Sequence, residues 1–205
     1  VSASRLQVEG FILAGGESTR MGRDKALLEV GGLPMLLRMA HLLEPLVAHV
    51  TVIGPPQRYA SLGLACVPDE VEHLGPLGGT LTALRVSDAA WNLIVGCDLP
   101  YLTPNWLAFL IRRALESEAA VVMPASRFGY EPLCAMYHAR CADTIAESLS
   151  RGVYKVTDGL GSLPMEILPP DLWRTFDSDG RLLKNMNRPE DFAEAREYFG
   201  EGTTR

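Results

Sequence analysis

The sequence predicts an α/β protein: a single domain over residues 1–205, with a mostly parallel sheet sandwiched in a three-layer α/β/α arrangement of Rossmann-like topology. Three observations predict it. Short apolar runs alternate with longer stretches of helical pattern. The runs FILA, NLIVGC and AAVVMP are apolar at consecutive positions, as strands covered by helices on both faces require, rather than alternating in and out. Pro34, Pro76 and Pro104 stand where first helical turns are expected, and a missing N–H costs nothing there.

In chain order, Val8 to Leu13 reads as a strand, Pro34 to Val47 as a helix and His49 to Ile53 as a strand. Pro76 to Ser87 follows as a helix, Trp91 to Cys97 as a strand, Pro104 to Ser117 as a helix and Ala119 to Met123 as a strand. The rhythm then changes. Pro132 to Tyr137 and Met165 to Leu168 read as strands, and His138 to Ser150 and Pro189 to Phe199 as helices that cover or extend the sheet. No repeat or linker marks a domain boundary.

With 47% hydrophobic and 21% charged residues the chain has the composition of a globular domain with a sizeable core. Its formal charge of −6 sets the overall field against polyanions, which argues against nucleic acid or an acidic membrane as partner. A small anion would need a local basic pocket. No apolar run reaches membrane-spanning length and the first ten residues lack a signal-peptide core, so the expected location is the cytoplasm. Cys66, Cys97, Cys134 and Cys141 form no C-x-x-C pair and are expected as buried free thiols. The four histidines fall at no zinc-finger spacing.

The densest chemical signal is LAGGESTRMGRDK, Leu13 to Lys25, at the carboxyl end of the first strand. Its glycines let the backbone approach phosphate oxygens and turn N–H groups inward, while Arg20, Arg23 and Lys25 supply positive charge. The combination predicts a polyphosphate cradle at the carboxyl edge of the sheet, the alternative being a Gly-rich turn whose charges are only solvated. Neither G-x-G-x-x-G nor G-x-x-x-x-G-K-[ST] occurs, so neither a dinucleotide fold nor a P-loop ATPase is indicated. A second signal is GCDLPYL, in which Asp98 ends an apolar strand at the same edge. Mg²⁺ favours one or two carboxylates together with phosphate oxygens, so Asp98 suits a metal held against a triphosphate; a strand-end cap is the alternative. In PLGGTLTAL, Gly78 and Gly79 open a helix that can lie against a base or ribose, or that simply packs closely on the sheet. Asp69, at another strand end, suits the paired donors of guanine, or a loop cap.

These segments, LAGGESTRMGRDKALLEVGG, PLGGTLTAL, CDLPYLTP and NMNRPEDF, resemble in order and spacing the molybdenum cofactor guanylyltransferases over nearly the whole chain. The resemblance implies a GT-A-like nucleotidyltransferase fold and transfer of GMP from Mg·GTP to the phosphate of molybdopterin. It implies nucleotide contacts at Leu13, Ala14, Gly15 and Gly16, phosphates near Lys25 and Arg20, guanosine near Asp69 and Gly78, and Mg²⁺ on Asp98. Asn185 and Asn187 would stand on a second rim, binding the pterin phosphate or a water on the metal, or else capping the helix that starts at Pro189. Some relatives place an Asn at the end of the second strand, where this chain has Val52-Ile53-Gly54-Pro55. Partners implied are GTP and molybdopterin, with molybdenum cofactor biosynthesis proteins or molybdoenzyme chaperones as recipients of the product.

The implied chemistry needs no general base, because a phosphate monoester is mostly dianionic at neutral pH. Neutralising and aligning two anions is what remains, which suits Lys25, Asp98 and a glycine-lined backbone. Related readings share the opening motif: cytidylyl transfer to the same acceptor, phospholactate guanylyl transfer, sugar-phosphate nucleotidyl transfer, or a non-catalytic nucleotide-binding regulatory subunit. In SRFGYEPLCAMY, Arg127, Tyr130 and Glu131 line the acceptor side or form an exposed β-turn.

Overall fold

The computed structural model describes residues 8–15, 24–71 and 74–200. Among them, the strands are β1 (Val8–Leu13), β2 (Glu29–Val30), β3 (Leu33–Pro34), β4 (Val50–Ile53), β5 (Cys66–Val67), β6 (Trp91–Gly96), β7 (Val121–Ser126), β8 (Gly129–Tyr130), β9 (Cys134–His138) and β10 (Met165–Leu168). The longer helices are α1 (Met35–Leu43), α2 (Gly75–Val86), α3 (Pro104–Glu116), α4 (Ala142–Ser150) and α5 (Pro189–Phe199). The main sheet runs β10-β7-β9-β6-β1-β4-β5, with β8 paired to β7.

The predicted parallel core is present: β1 pairs in parallel with β4 and β6, β4 with β5, and β10 with β7. The strand expected at Pro132 to Tyr137 is β9, which runs antiparallel to both β6 and β7. Because β9 reverses against each neighbour, β6 and β7 point the same way. The carboxyl ends of β1, β4, β6 and β7 therefore share one edge of the sheet.

Consecutive apolar residues on a strand serve opposite layers. Val8, Ile12, Leu93 and Val95 join the core that holds Met35, Leu36, Met39 and Leu43 of α1 and Trp106, Leu107 and Leu110 of α3. Phe11 and Ile94 join the other core, with Leu77, Leu81 and Leu84 of α2 and Ile145 of α4. Both faces are dry, which is why the strand sequences show continuous apolar runs.

The helix predicted over Pro34 to Val47 is shorter at both ends. Expected to reach Val47, it ends at Leu43 with Glu44 as its cap, still in helical backbone, because Pro45 has no N–H to carry the hydrogen-bond ladder on. Its start also shifts, since Pro34 belongs to a small β2–β3 hairpin turned by Gly31 and Gly32 at φ 61° and 79°, backbone that two glycines adopt without strain. The segment from Ser126 forms the β7–β8 hairpin, with Phe128 83% exposed at its tip. No helix among the described residues is long and apolar enough to cross a membrane. Of the four free cysteines, Cys134 and Cys141 are buried as expected, while Cys66 and Cys97 are half-buried.

The carboxyl edge is tightly joined where β1 and β4 end. The Ala14 N–H donates to the Ile53 carbonyl at 2.8 Å and the Gly54 N–H to the Val67 carbonyl at 2.9 Å. A Cβ on Gly54 would lie 1.8 Å from the Ala14 carbonyl oxygen and 3.2 Å from the buried Tyr59 ring. No side chain fits there, which accounts physically for glycine at this position. Gly54→Ala is expected to cost roughly 1–3 kcal/mol through overpacking against backbone. Thermal denaturation should show it as a fall of about 2–4 °C in Tm per kcal/mol lost.

Candidate active site

Leu13, Ala14 and Gly15 leave β1 along one wall of a cavity of about 530 Å³, a volume in the usual range for small-molecule sites. Asp24, Lys25, Asp69, Gly79, Gly96, Cys97, Asp98 and Leu133 are also in its lining.

Lys25 opens a single 3₁₀ turn, Lys25–Leu27. The preceding Asp24 fixes that turn: its Oδ1 accepts from the Ala26 N–H at 3.0 Å, and its Oδ2 accepts from the Tyr59 hydroxyl at 3.1 Å and from Arg58 Nη1 at 3.3 Å. Ala26 is completely buried, so the backbone is pinned and the lysine side chain projects into the cavity wall. Lys25 Nζ stands 3.5 Å from Asp98 Oδ2, with the two side chains 17% and 21% exposed. It also donates to Asn187 Oδ1 at 2.6 Å.

Asp98 lies just past β6. The Gly96 N–H donates to the Leu133 carbonyl at 2.8 Å, and the Cys97 N–H to the Leu13 carbonyl at 3.2 Å, so the end of β6 is held between β9 and β1. A Cβ on Gly96 would meet Asp98 Oδ1 at 2.8 Å; glycine leaves the carboxylate room to fold back over the strand end. Burial pushes the Asp98 carboxyl above its ordinary value, while the charge and hydrogen bond of Lys25 pull the other way. Burial, with the nearby charges of Asp98 and Asp24, raises the Cys97 thiol far above its ordinary value, so Cys97 stays protonated.

Asp69 follows β5 by two residues. The neighbouring Glu70 N–H donates to Thr82 Oγ1 at 3.0 Å, tying this loop to α2. The Asp69 carboxylate consequently sits between two glycines: Oδ1 is 3.3 Å from where a Gly79 Cβ would stand, and Oδ2 is 3.8 Å from the corresponding point on Gly15.

The structure thus brings Leu13, Ala14, Gly15, Lys25, Asp69 and Asp98 to one cavity. Gly78, expected beside the ligand, faces Leu74 instead, whose Cβ would be 2.6 Å from its own; Gly79 is the member of the pair that lines the cavity. One residue along a helix turns the side by about 100°, enough to exchange cavity for packing. Asn185 is exposed and lies off the cavity lining, and Asn187 meets the site through Lys25. Neither asparagine side chain caps α5; the carboxylate of Asp191 does so, accepting from the Asn187 and Arg188 N–H groups at 3.0 and 2.9 Å. Gly16 and Arg20 lie outside the described residues.

Sequence reasoning missed Asp24 and Leu133 as parts of the site, and named Gly79 only alongside Gly78. Asp24 had a visible signal, a carboxylate directly before the motif lysine. Leu133 had none, since the β6–β9 pairing alone carries it to the end of β6.

Among the described residues no three His, Cys, Asp or Glu side chains gather into a metal-binding group. Asp98, at a strand end beside the cavity, is a carboxylate of the kind that could hold Mg²⁺, an ion that takes one or two carboxylates together with water and ligand phosphates.

Comparison with known proteins gives the family and the fold. The family described as the MobA-like NTP transferase domain matches residues 10–163. A probable molybdenum cofactor guanylyltransferase from Pelotomaculum thermopropionicum is 35% identical over 192 residues, covering 93% of each chain. One of the same description from Pyrococcus furiosus is 33% identical over 206 residues, covering 95% of this chain and 99% of its own. The crystal structure of molybdopterin-guanine dinucleotide biosynthesis protein A from Archaeoglobus fulgidus superposes with a TM-score of 0.82 at 22% identity, covering 93% of this chain and 97% of that one, a likeness of fold. The chain belongs to the MobA-like NTP transferase family of nucleotidyltransferases.

Proposed function

We propose that this nucleotidyltransferase moves GMP from GTP to the phosphate of molybdopterin and releases pyrophosphate. The observation that carries the reading is the convergence of Lys25 and Asp98, 3.5 Å apart, on one cavity walled by the backbone of Leu13 to Gly15. The guanylyltransferase description of relatives at 33–35% identity over nearly their whole length supports the choice of donor and acceptor.

In this reading an acceptor phosphate oxygen forms a bond to the α-phosphorus as the bond from that phosphorus to the bridging oxygen breaks, and pyrophosphate departs with the electron pair. Lys25 Nζ supplies fixed positive charge beside the phosphates, held so that no reorganisation is needed as charge shifts. The open backbone at Gly15 allows close approach of the phosphates, and the Asp69 carboxylate, placed between Gly15 and Gly79, accepts from the N1–H and exocyclic amine of guanine. Asp98 is the residue that would hold Mg²⁺, and a bound Mg²⁺ would neutralise charge on the triphosphate. Attack needs no side-chain base, since the monoester is already mostly dianionic.

Three outcomes test this. Lys25→Ala and Asp98→Ala should each lower turnover on the order of 10²-fold with Tm little changed, as found when groups that stabilise transition-state charge are removed. Pyrophosphate release with Mg·GTP and the pterin acceptor is the measurement, and near-normal rates in either variant would overturn the assignment. In thermal-shift titrations GTP with Mg²⁺ should stabilise the protein by about 2.7 kcal/mol at a hundredfold excess over Kd, with CTP, ATP and UTP well behind and EDTA weakening the effect. Asp69→Ala should cost about 1–3 kcal/mol of GTP binding, the penalty for unpaired polar groups, and narrow the gap between GTP and ATP; an unchanged preference would remove Asp69 from base recognition.

A further inference from the structure

Along the carboxyl edge the strands succeed one another in the order β5, β4, β1, β6, β9. Asp69 follows β5, Leu13 to Gly15 leave β1, and Asp98 follows β6. A nucleotide with its base at Asp69 therefore lays its phosphates toward β6. The stretch of edge it leaves open lies on the β9 side.

The chain reaches further out on that side than β6 does. Val95 pairs with Cys134, and the Gly96 N–H donates to the Leu133 carbonyl at 2.8 Å, so the residues preceding Leu133 lie beyond the end of β6. Those residues are β8, folded back on the last two of β7 with Tyr130 opposite Ala125 and Gly129 opposite Ser126. Successive side chains on a strand alternate faces, and residues directly opposite share one. Val121 and Met123 belong to the core that holds Leu77 and Leu81 of α2, so Ala125 and its partner Tyr130 stand on that face. It is the face on which Leu13, Gly79 and Leu133 line the cavity. Glu131 falls on the opposite face with Pro124, and its hydrogen bond with Ser126, which has the same parity, agrees with that. Of the residues in this segment with chemistry to offer an acceptor, register thus selects Tyr130 and sets Glu131 aside.

The hairpin is anchored on both legs. Trp173 Nε1 donates to the Ala125 carbonyl at 3.2 Å, and the buried Tyr137 hydroxyl donates to the Pro132 carbonyl at 2.8 Å. At the tip the Phe128 N–H donates to Ser126 Oγ at 3.0 Å, and Gly129 takes a φ of 124° that favours glycine. The Arg127 guanidinium covers the Phe128 ring there, 4.7 Å from its centroid. Tyr130, nearer the strand ends, is 48% exposed. A single exposed ring means little by itself; this one is carried on fixed backbone, past the strand that ends in Asp98 and on the cavity's own face. A held aromatic ring loses little freedom on binding, and its flat face suits a flat heterocycle.

We propose that Tyr130 is a stacking platform for the heterocycle of the acceptor, set across the end of β6 from the carboxylate of Asp69. The proposal rests on the reading above for the acceptor's identity, a pterin bearing a phosphate monoester. With β8 continuing the line of β9, roughly 5 Å from that of β6, the acceptor ring rests on Tyr130 while its phosphate reaches toward Asp98.

The test reads pterin binding apart from transfer. Hydroxymethylpterin phosphate, a pterin monoester whose fluorescence reports binding, is titrated into the full chain with no nucleotide present. Tyr130→Ala should weaken its binding about tenfold, the scale of a lost aromatic stack, and Tyr130→Phe should stay within about twofold of the parent. Glu131→Gln, on the opposite face, should bind as the parent does. The GTP affinity of all three variants, read by thermal shift, should be unchanged. In transfer assays Tyr130→Ala should raise the acceptor KM with little change in kcat, because stacking serves ground and transition states alike. A parent chain that does not bind the probe, equal affinity in Tyr130→Ala, or an equal loss in Glu131→Gln would overturn the proposal. Tyr130-dependent binding in a protein that transfers no GMP would uphold the platform and reject the guanylyltransferase reading; GMP transfer with an unaltered acceptor KM in Tyr130→Ala would do the reverse.

Discussion

Leu13 pairs with Gly96 on one side and with Ile53 on the other, and this three-strand register at the end of β1 is the constraint on which the site depends. It places the backbone of Ala14 and Gly15 between the residues that follow β4 and those that follow β6. A slip of one residue would turn the exchange of faces inside out, moving Val8 and Ile12 from the α1 and α3 layer to the α2 layer. Burial of both faces therefore holds the register, and the register sets the reach between Lys25 and Asp98.

Close approach at this edge is obtained by leaving side chains out. Gly54 lets the Ala14 carbonyl lie against the end of β4, Gly79 lets the Asp69 carboxylate rest on α2, and Gly96 lets Asp98 turn back over its own strand. In each case the atom that would collide belongs to backbone or to a carboxylate the cavity uses. The second strand thus ends in glycine for a packing reason internal to this chain, and a polar side chain there would displace Ala14.

Charge at the site is concentrated and only partly solvated. A lysine and an aspartate at 17% and 21% exposure give up hydration that their mutual attraction does not fully replace, which makes such a pair a weak source of stability. The rise of the Asp98 carboxyl through burial has the same origin. Asn187 accepts from Lys25, and Asp24, itself held by the Tyr59 hydroxyl, pins the turn that carries the lysine.

Local sequence was enough to determine the layer arrangement, the order of the longer strands and helices, and the glycine, lysine and strand-end aspartates carried to one edge, because each is written in nearest-neighbour pattern: continuous apolar runs, prolines at helix starts, glycines next to cations. The reversed direction of β9 was not legible, since a run such as CAMYH has the same composition in either orientation and only its partners β6 and β7 decide it. Nor was the choice of Gly79 over Gly78, which turns on the rotation of α2 about its own axis, set by the packing of Leu77 and Leu81 into the core. The contact from Lys25 to Asn187, residues 162 positions apart, lay furthest from view. Sequence determined which groups the protein carries to the sheet edge; tertiary structure alone decided which of them meet, because distances across an edge depend on register and helix rotation that no local pattern encodes.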